Sequence, residues 1–153
     1  MTEALMNRYR SAVQPLLEPG EHLLDVATAV PVSGARGSGG TPGALIGARL
    51  ARIGSVSGGS GSIAQGFAAT AGRSGAGQLA VTDRRALFLH SVDVRKPGRM
   101  MWHAPRHLVL RVERRPRLQA MARFRLHFAD GSAVALLTMR RRTVEALADH
   151  LGR

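Results

Sequence analysis

Residues 124–137 read FRLHFADGSAVALL and contain two candidate strands on either side of a turn signal. The first half of this stretch alternates large apolar residues with polar ones, which is the period of a strand with one buried face. Asp130-Gly131 is a strong hairpin signal, because glycine readily adopts the backbone conformations that tight turns need. Residues 133–137 then form a second, apolar run. The stretch therefore predicts an antiparallel β-hairpin.

More strand signals precede this hairpin. Residues 79–82 and 86–90 flank Asp83-Arg84-Arg85 and predict two antiparallel strands joined by a tight turn. Apolar residues at period two predict another strand over residues 22–32, and shorter signals lie at 100–103 and 108–114. We therefore expect six to seven short strands.

Two amphipathic helices frame these strands. Over residues 2–17, with Thr2 as a suitable N-cap, the apolar residues fall near one helical face: Leu5, Met6, Tyr9, Val13 and Leu16. Over residues 139–151, Val144, Leu147 and Leu151 form an apolar stripe. The order predicts one α+β domain over residues 1–153, a bent antiparallel sheet or partly open barrel that the C-terminal helix caps.

A glycine-rich insert, residues 33–77, separates the first strand from the second and holds 14 of the 18 glycines. Such a composition raises the entropic cost of ordering the backbone, so we expect most of the insert to be mobile. Residues 43–54 are the exception, since their spacing predicts a short helix that either contacts a partner or lipid or folds back on the domain. The candidate contact residues are Ile46, Arg49, Leu50, Arg52 and Ile53.

Three segments carry a resemblance to a known family. They are the turn 17–21 (LEPGE), residues 79–89 (LAVTDRRALFL) and the 128–131 hairpin (FADG), and they resemble bacterial pleckstrin-homology-like domains. The resemblance covers about residues 17–31 and 78–151, and it implies a barrel with a capping helix that serves as a binding module. In lipid-binding pleckstrin-homology domains, the loop after the first strand holds basic residues that contact inositol phosphates. The insert occupies that place, but its arginines are dispersed and match no such motif.

Enzyme chemistry finds no support in the sequence. There is no cysteine, which excludes thiol nucleophiles and cysteine-ligated metals. Residues 59–64 match a dinucleotide fingerprint, but that motif needs a buried strand before it and a helix after it, and neither is expected. His103 and His107 flank Pro105 without a nearby carboxylate, so we expect no metal site. No catalytic residue, cofactor or metal is therefore predicted.

The charge is strongly basic, with 22 Lys and Arg against 10 Asp and Glu. Because 21 of the 22 are arginine in a chain rich in alanine and glycine, a GC-rich coding sequence accounts for much of the bias. The arginines of 111–117 and 140–142 are typical of solvated faces, and aromatic residues for base stacking are few. We expect salt-dependent attraction to polyanions but no specific nucleic-acid recognition.

The sequence thus predicts a non-catalytic interaction module that binds a protein partner or self-associates. The alternative is a peripheral membrane module that meets anionic lipid through residues 43–54 and the arginine-rich surface. No apolar stretch approaches the length of about 18 residues that a membrane span needs, so we expect a cytoplasmic protein, at the inner membrane surface in the alternative.

Overall fold

The computed structural model describes residues 3–32, 55–72, 74–90, 93, 95–118 and 121–152. The helices are α1 (Glu3–Val13), α2 (Ile63–Thr70) and α3 (Arg141–Leu151). The strands are β1 (Leu23–Pro31), β2 (Val56–Ser57), β3 (Gly77–Thr82), β4 (Arg85–His90), β5 (Arg99–Pro105), β6 (Val109–Leu118), β7 (Met121–Phe128) and β8 (Ala133–Thr138).

All strand pairs are antiparallel, and the order across the sheet is β5-β4-β3-β1-β8-β7-β6. The short β2 pairs with β8 beside this path. Strand β1 joins the two halves, because it pairs with β3 over most of its length and with β8 only at Val30 and Pro31. The predicted α+β class, with an antiparallel sheet and a helix before and after it, is confirmed.

The main core lies between the two halves of the sheet. Leu79 and Phe88 from one half and Phe124 and Leu126 from the other belong to one buried cluster. Helix α3 adds its predicted apolar stripe to this cluster, with Val144, Leu147 and Leu151. A set of aromatic rings fills the core, with centroids 5.1–5.7 Å apart in edge-on or tilted geometry: Phe67, Phe88, Trp102 and Phe128. The two half-sheets therefore share one hydrophobic interior.

Helix α1 covers the opposite face of the first half-sheet. Ala12 and Val13 pack with Val26, Ala80 and Leu87 in a second buried cluster. All six residues of β3 are consequently buried, since the main core covers one face of the strand and α1 the other. The N-terminal helix is thus part of the packed domain.

Several predicted boundaries shift. The α-helix predicted over residues 2–17 ends at Val13 and continues as one 3-10 turn, Gln14–Leu16, where Pro15 cannot donate a backbone hydrogen bond. Strand β6 runs past the predicted end at residue 114 and includes Pro116. A proline is tolerated there because β6 is an edge strand.

The expectation of a mostly mobile insert is wrong for residues 55–72. Strand β2 pairs with β8, and α2 buries Ala64 and Phe67 in the main core, where its C-cap residue Ala71 is also buried. The large apolar area of one phenylalanine, placed on the same face as two alanines, offsets the backbone entropy that the glycines add. Residues 43–54, with the candidate contacts predicted there, lie outside the described residues.

Candidate binding site at the groove between β6 and α3

An open groove of about 570 Å³ runs between β6, the last strand of the sheet, and α3. Its apolar lining comes from Val112 on the strand and from Val144 and Ala148 on the helix. The volume lies within the range of ligand-binding clefts.

The rims of the groove carry both signs of charge. Its charged lining residues are Arg111, Glu113, Arg114, Glu145 and Asp149. One ion pair crosses from strand to helix, with Arg114 Nη1 3.2 Å from Glu145 Oε1. Both side chains are about half exposed, so this pair contributes little to stability and can exchange partners.

Glu113 is held on the strand by two neighbours. Its Oε2 lies 2.6 Å from His127 Nε2, and its Oε1 lies 3.2 Å from Arg115 Nε. Burial raises the pKa of the Glu113 carboxyl, but the hydrogen bond from His127 and the charges of Arg115, His127 and Arg111 together lower it below its ordinary value. The groove therefore retains a fixed negative charge at neutral pH.

The backbone of β6 is partly available at this edge. Val112 N–H donates to the carbonyl oxygen of Gly152, 2.9 Å away, so it points away from β7. Strand periodicity turns the N–H and C=O of Arg114 to the same side, while Pro116, two residues further, has no N–H. No strand of the described part of the chain pairs with β6 on this side. The edge at Arg114 can thus accept an added strand.

The most buried ion pair has a structural role and lies elsewhere. Glu21 accepts from Arg85 Nη2 at 2.8 Å and from Thr82 Oγ1 at 2.6 Å, and it also accepts from the backbone N–H of Glu18. Arg85 Nη2 also donates to the carbonyl of Leu16. These contacts join the end of the 3-10 turn to the β3–β4 turn, and all carboxylate oxygens are occupied by the fold itself. They leave no reactive group for a substrate.

Residues 59–64, which match the dinucleotide fingerprint, follow a strand and run into a helix, contrary to the sequence-based expectation. The two-residue strand β2 precedes them, and the helix α2 begins at Ile63. The first turn of α2 is, however, already satisfied by the protein, because Ile63 N–H donates to Asp130 Oδ2 at 2.7 Å and Ala64 N–H donates to Ser132 Oγ at 3.1 Å. The carboxylate of Asp130 occupies the place that a nucleotide phosphate would need.

The histidines do not converge. His103 lies on β5 and His107 in the 3-10 turn Arg106–Leu108, so the two do not share a helical face. His22 lies near Asp83, and His127 near Glu113. Among the residues that the structure describes, no group of three histidine, cysteine or acidic side chains is arranged to hold a metal ion.

The described helices include none long and apolar enough to cross a membrane. No protein-family model matches the chain, and no curated protein matches it.

Proposed function

We propose that this chain is a non-catalytic interaction module that binds a polypeptide, from a partner protein or a second copy, in the groove between β6 and α3. The observation that carries the proposal is the open backbone edge at Arg114 beside an apolar floor of Val112, Val144 and Ala148. An extended peptide can add to such an edge through main-chain hydrogen bonds, while alternate side chains enter the groove. Recognition would then use backbone pairing for affinity and the charged rims for specificity.

The charges of the groove favour a polypeptide over an anionic lipid surface. Glu113, Glu145 and Asp149 would repel a negatively charged membrane at this place, whereas a peptide can present both charges. Anionic lipid, through residues 43–54 and the arginine-rich surface, stays the alternative, and vesicle binding is its test.

We also propose that the domain is pleckstrin-homology-like. Two features support this: the resemblance of residues 79–89, which form β3, the turn and β4, and the position of α3 against the core between the half-sheets. Folds of this kind host many unrelated binding roles, so the proposed function depends on the groove and not on the fold.

Selection of displayed random peptides on the purified protein tests the proposal. Peptides that bind should bind the Ala148→Leu variant at least about tenfold more weakly, since leucine fills the groove floor without changing the charge. Ala69→Leu, on the exposed side of α2, is the matched control and should leave binding unchanged. For a second copy as partner, sedimentation equilibrium should show a dimer that Ala148→Leu weakens and Ala69→Leu does not.

Two results would contradict the proposal. One is a set of selected peptides whose binding is indifferent to Ala148→Leu. The other is a protein that yields no peptides, stays monomeric at high concentration and instead sediments with anionic vesicles, which would favour the membrane alternative.

A further inference from the structure

A second cavity, of about 410 Å³, lies where β6 and β7 approach their connecting turn, beside the first residue of α3. Six residues line it: Arg114, Arg115, Pro116, Ala122, Arg123 and Arg141. Four of the six are arginine, and none is acidic. A cavity of this size matches small-molecule sites, and its lining has one sign of charge.

The register of the hairpin concentrates this charge. Arg115 and Arg123 are direct cross-strand partners, and like charges placed opposite each other destabilise a sheet. Arg125 lies two residues further on the same strand face as Arg123. Burial lowers the pKa of Arg123, and the charges of Arg125 and Arg115 lower it further. The register thus places three arginines close together on one face of the hairpin.

Two of the cavity's arginines pair with carboxylates in partly exposed positions. Glu145 lies 3.2 Å from Arg114 Nη1, and Glu113 lies 3.2 Å from Arg115 Nε. These carboxylates and their arginine partners are 27–52% exposed, and exposed pairs of this kind contribute little and open easily. Both arginines can therefore turn to a more highly charged anion.

The start of α3 adds to the positive potential. Its N-cap residue is Arg140, whose side chain makes no capping hydrogen bond, and its first turn holds no acidic residue. Arg141 and Arg142 follow, although the helix dipole favours negative charge at this end. An anion in the cavity beside Arg141 would offset both the dipole and the arginines.

We propose that the cavity lined by Arg114, Arg115, Arg123 and Arg141 binds an oligophosphate anion. Guanidinium groups bind phosphate oxygens through paired, charge-assisted hydrogen bonds, and several converging arginines suit a ligand with several phosphate charges. The cavity is separate from the apolar floor of the groove and shares only Arg114 with it. This inference goes beyond the proposed function, and either can fail without the other.

Titration calorimetry with inorganic tripolyphosphate at physiological ionic strength tests the proposal. The wild-type chain should bind, and the double variant Arg123→Gln/Arg141→Gln should bind at least about tenfold more weakly, because two charge-assisted contacts are lost. The control Arg10→Gln/Arg99→Gln removes the same charge from α1 and from β5, at the opposite edge of the sheet. Its affinity should stay within about twofold of wild type.

The folded state of each variant is checked by the fluorescence of the buried Trp102. If the double variant does not fold, Arg141→Gln alone provides the comparison, since Arg141 is exposed at the helix start. Equal weakening in variant and control would overturn the proposal, because it would show attraction to net charge alone. So would absence of tripolyphosphate binding.

A parallel arm separates a free oligophosphate from a lipid phosphate. Vesicles of phosphatidylcholine and phosphatidylglycerol in equal parts are sedimented with the protein, with and without tripolyphosphate. Displacement from the vesicles by tripolyphosphate, or no vesicle binding at all, supports a soluble ligand. The proposal is overturned if the protein binds the vesicles through Arg123 and Arg141, tripolyphosphate does not displace it from them, and tripolyphosphate itself binds the protein more weakly than the vesicles do.

Discussion

Replacing Glu21 with alanine should destabilise the fold more than replacing any exposed acidic residue. The Glu21 side chain is fully buried, and it accepts hydrogen bonds from Arg85, from the Thr82 hydroxyl and from the Glu18 backbone. The Arg85 side chain is only 12% exposed. Removing the carboxylate therefore leaves a buried guanidinium without its counter-ion, and breaking one side of such a pair costs about 3–5 kcal/mol of unfolding free energy.

The pKa of Glu21 gives a second estimate of this magnitude. Burial raises the pKa of the carboxyl, but hydrogen bonds from Arg85, Thr82 and the Glu18 backbone, with the Arg85 charge, outweigh burial and lower the pKa from 4.5 to about 2. Because the folded pKa lies below the unfolded one, the stabilisation is present above pH 4.5 and is lost as the pH falls towards 2. This lowering of the pKa corresponds to at most about 3–4 kcal/mol of unfolding free energy.

Urea denaturation followed by Trp102 fluorescence measures both effects, since Trp102 lies in the main core. Glu145→Ala is the control, because Glu145 belongs to a half-exposed pair and should cost less than about 1 kcal/mol. Between pH 7 and pH 3, the unfolding free energy of Glu21→Gln should fall less than that of the wild type, because the variant lacks the carboxyl that is protonated in the unfolded chain in this range. The stabilising role of the Glu21–Arg85 pair would be contradicted by a Glu21→Ala cost no larger than that of Glu145→Ala, or by a pH profile of Glu21→Gln identical to that of the wild type.

Three further predictions concern other residues. Asp25 is buried, and burial is the largest effect on its carboxyl and raises the pKa. Its ionisation therefore destabilises the fold as the pH rises above the unfolded pKa of 3.8. Asp25→Asn should gain stability relative to wild type between pH 4 and pH 7 in urea denaturation, and a difference that stays constant with pH would contradict this. Asp130→Ala removes an acceptor from the first turn of α2, so hydrogen exchange should become faster at the Ile63 amide, and unchanged exchange would show that Asp130 is only a turn former. Gly77→Ala brings a Cβ within 2.6 Å of the β4 backbone and should cost about 1–3 kcal/mol, whereas Gly66→Ala, in open space within α2, should add about 0.5–1 kcal/mol; thermal unfolding showing the same sign for both would be inconsistent with the packing described.

Apolar periodicity and turn residues correctly predicted the elements that depend mainly on residues close to one another in the sequence. The alternation in residues 124–128 predicted part of β7, and Asp130-Gly131 predicted its turn, where Gly131 has a φ of +80°. The stripe of Val144, Leu147 and Leu151 predicted the buried face of α3. These signals succeed because a strand or helix with one buried face must repeat its apolar residues at its own period.

The features that the sequence did not predict depend on contacts between residues that are far apart in the chain. Helix α2 is stabilised by Phe67 in the core and by Asp130, which is 67 residues from Ile63 in sequence, and glycine content gave no sign of either. Glu21 and Arg85 are 64 residues apart. An ion pair between residues so far apart in the sequence can be predicted only when the strand pairing is known.

The candidate sites were missed for the same reason. The arginines of 111–117 and 140–142 were predicted to lie on solvated faces, but the strand register places Arg115 opposite Arg123, and Arg141 lines the same cavity. The groove depends on how α3 lies against β6, which helix periodicity does not encode. The available signals were the length of the apolar stripe on α3 and Pro116, which is typical of an edge strand.

The proposed peptide-binding edge of β6 can be tested by hydrogen exchange at the Arg114 amide, measured with and without a peptide selected for binding. If the peptide adds a strand to the open edge of β6, this amide gains a hydrogen-bond partner and its exchange should slow at least about tenfold, while amides of β5 at the other edge should not change. Slowed exchange on β5 with no change at Arg114 would contradict the claim that the groove between β6 and α3 is the binding site.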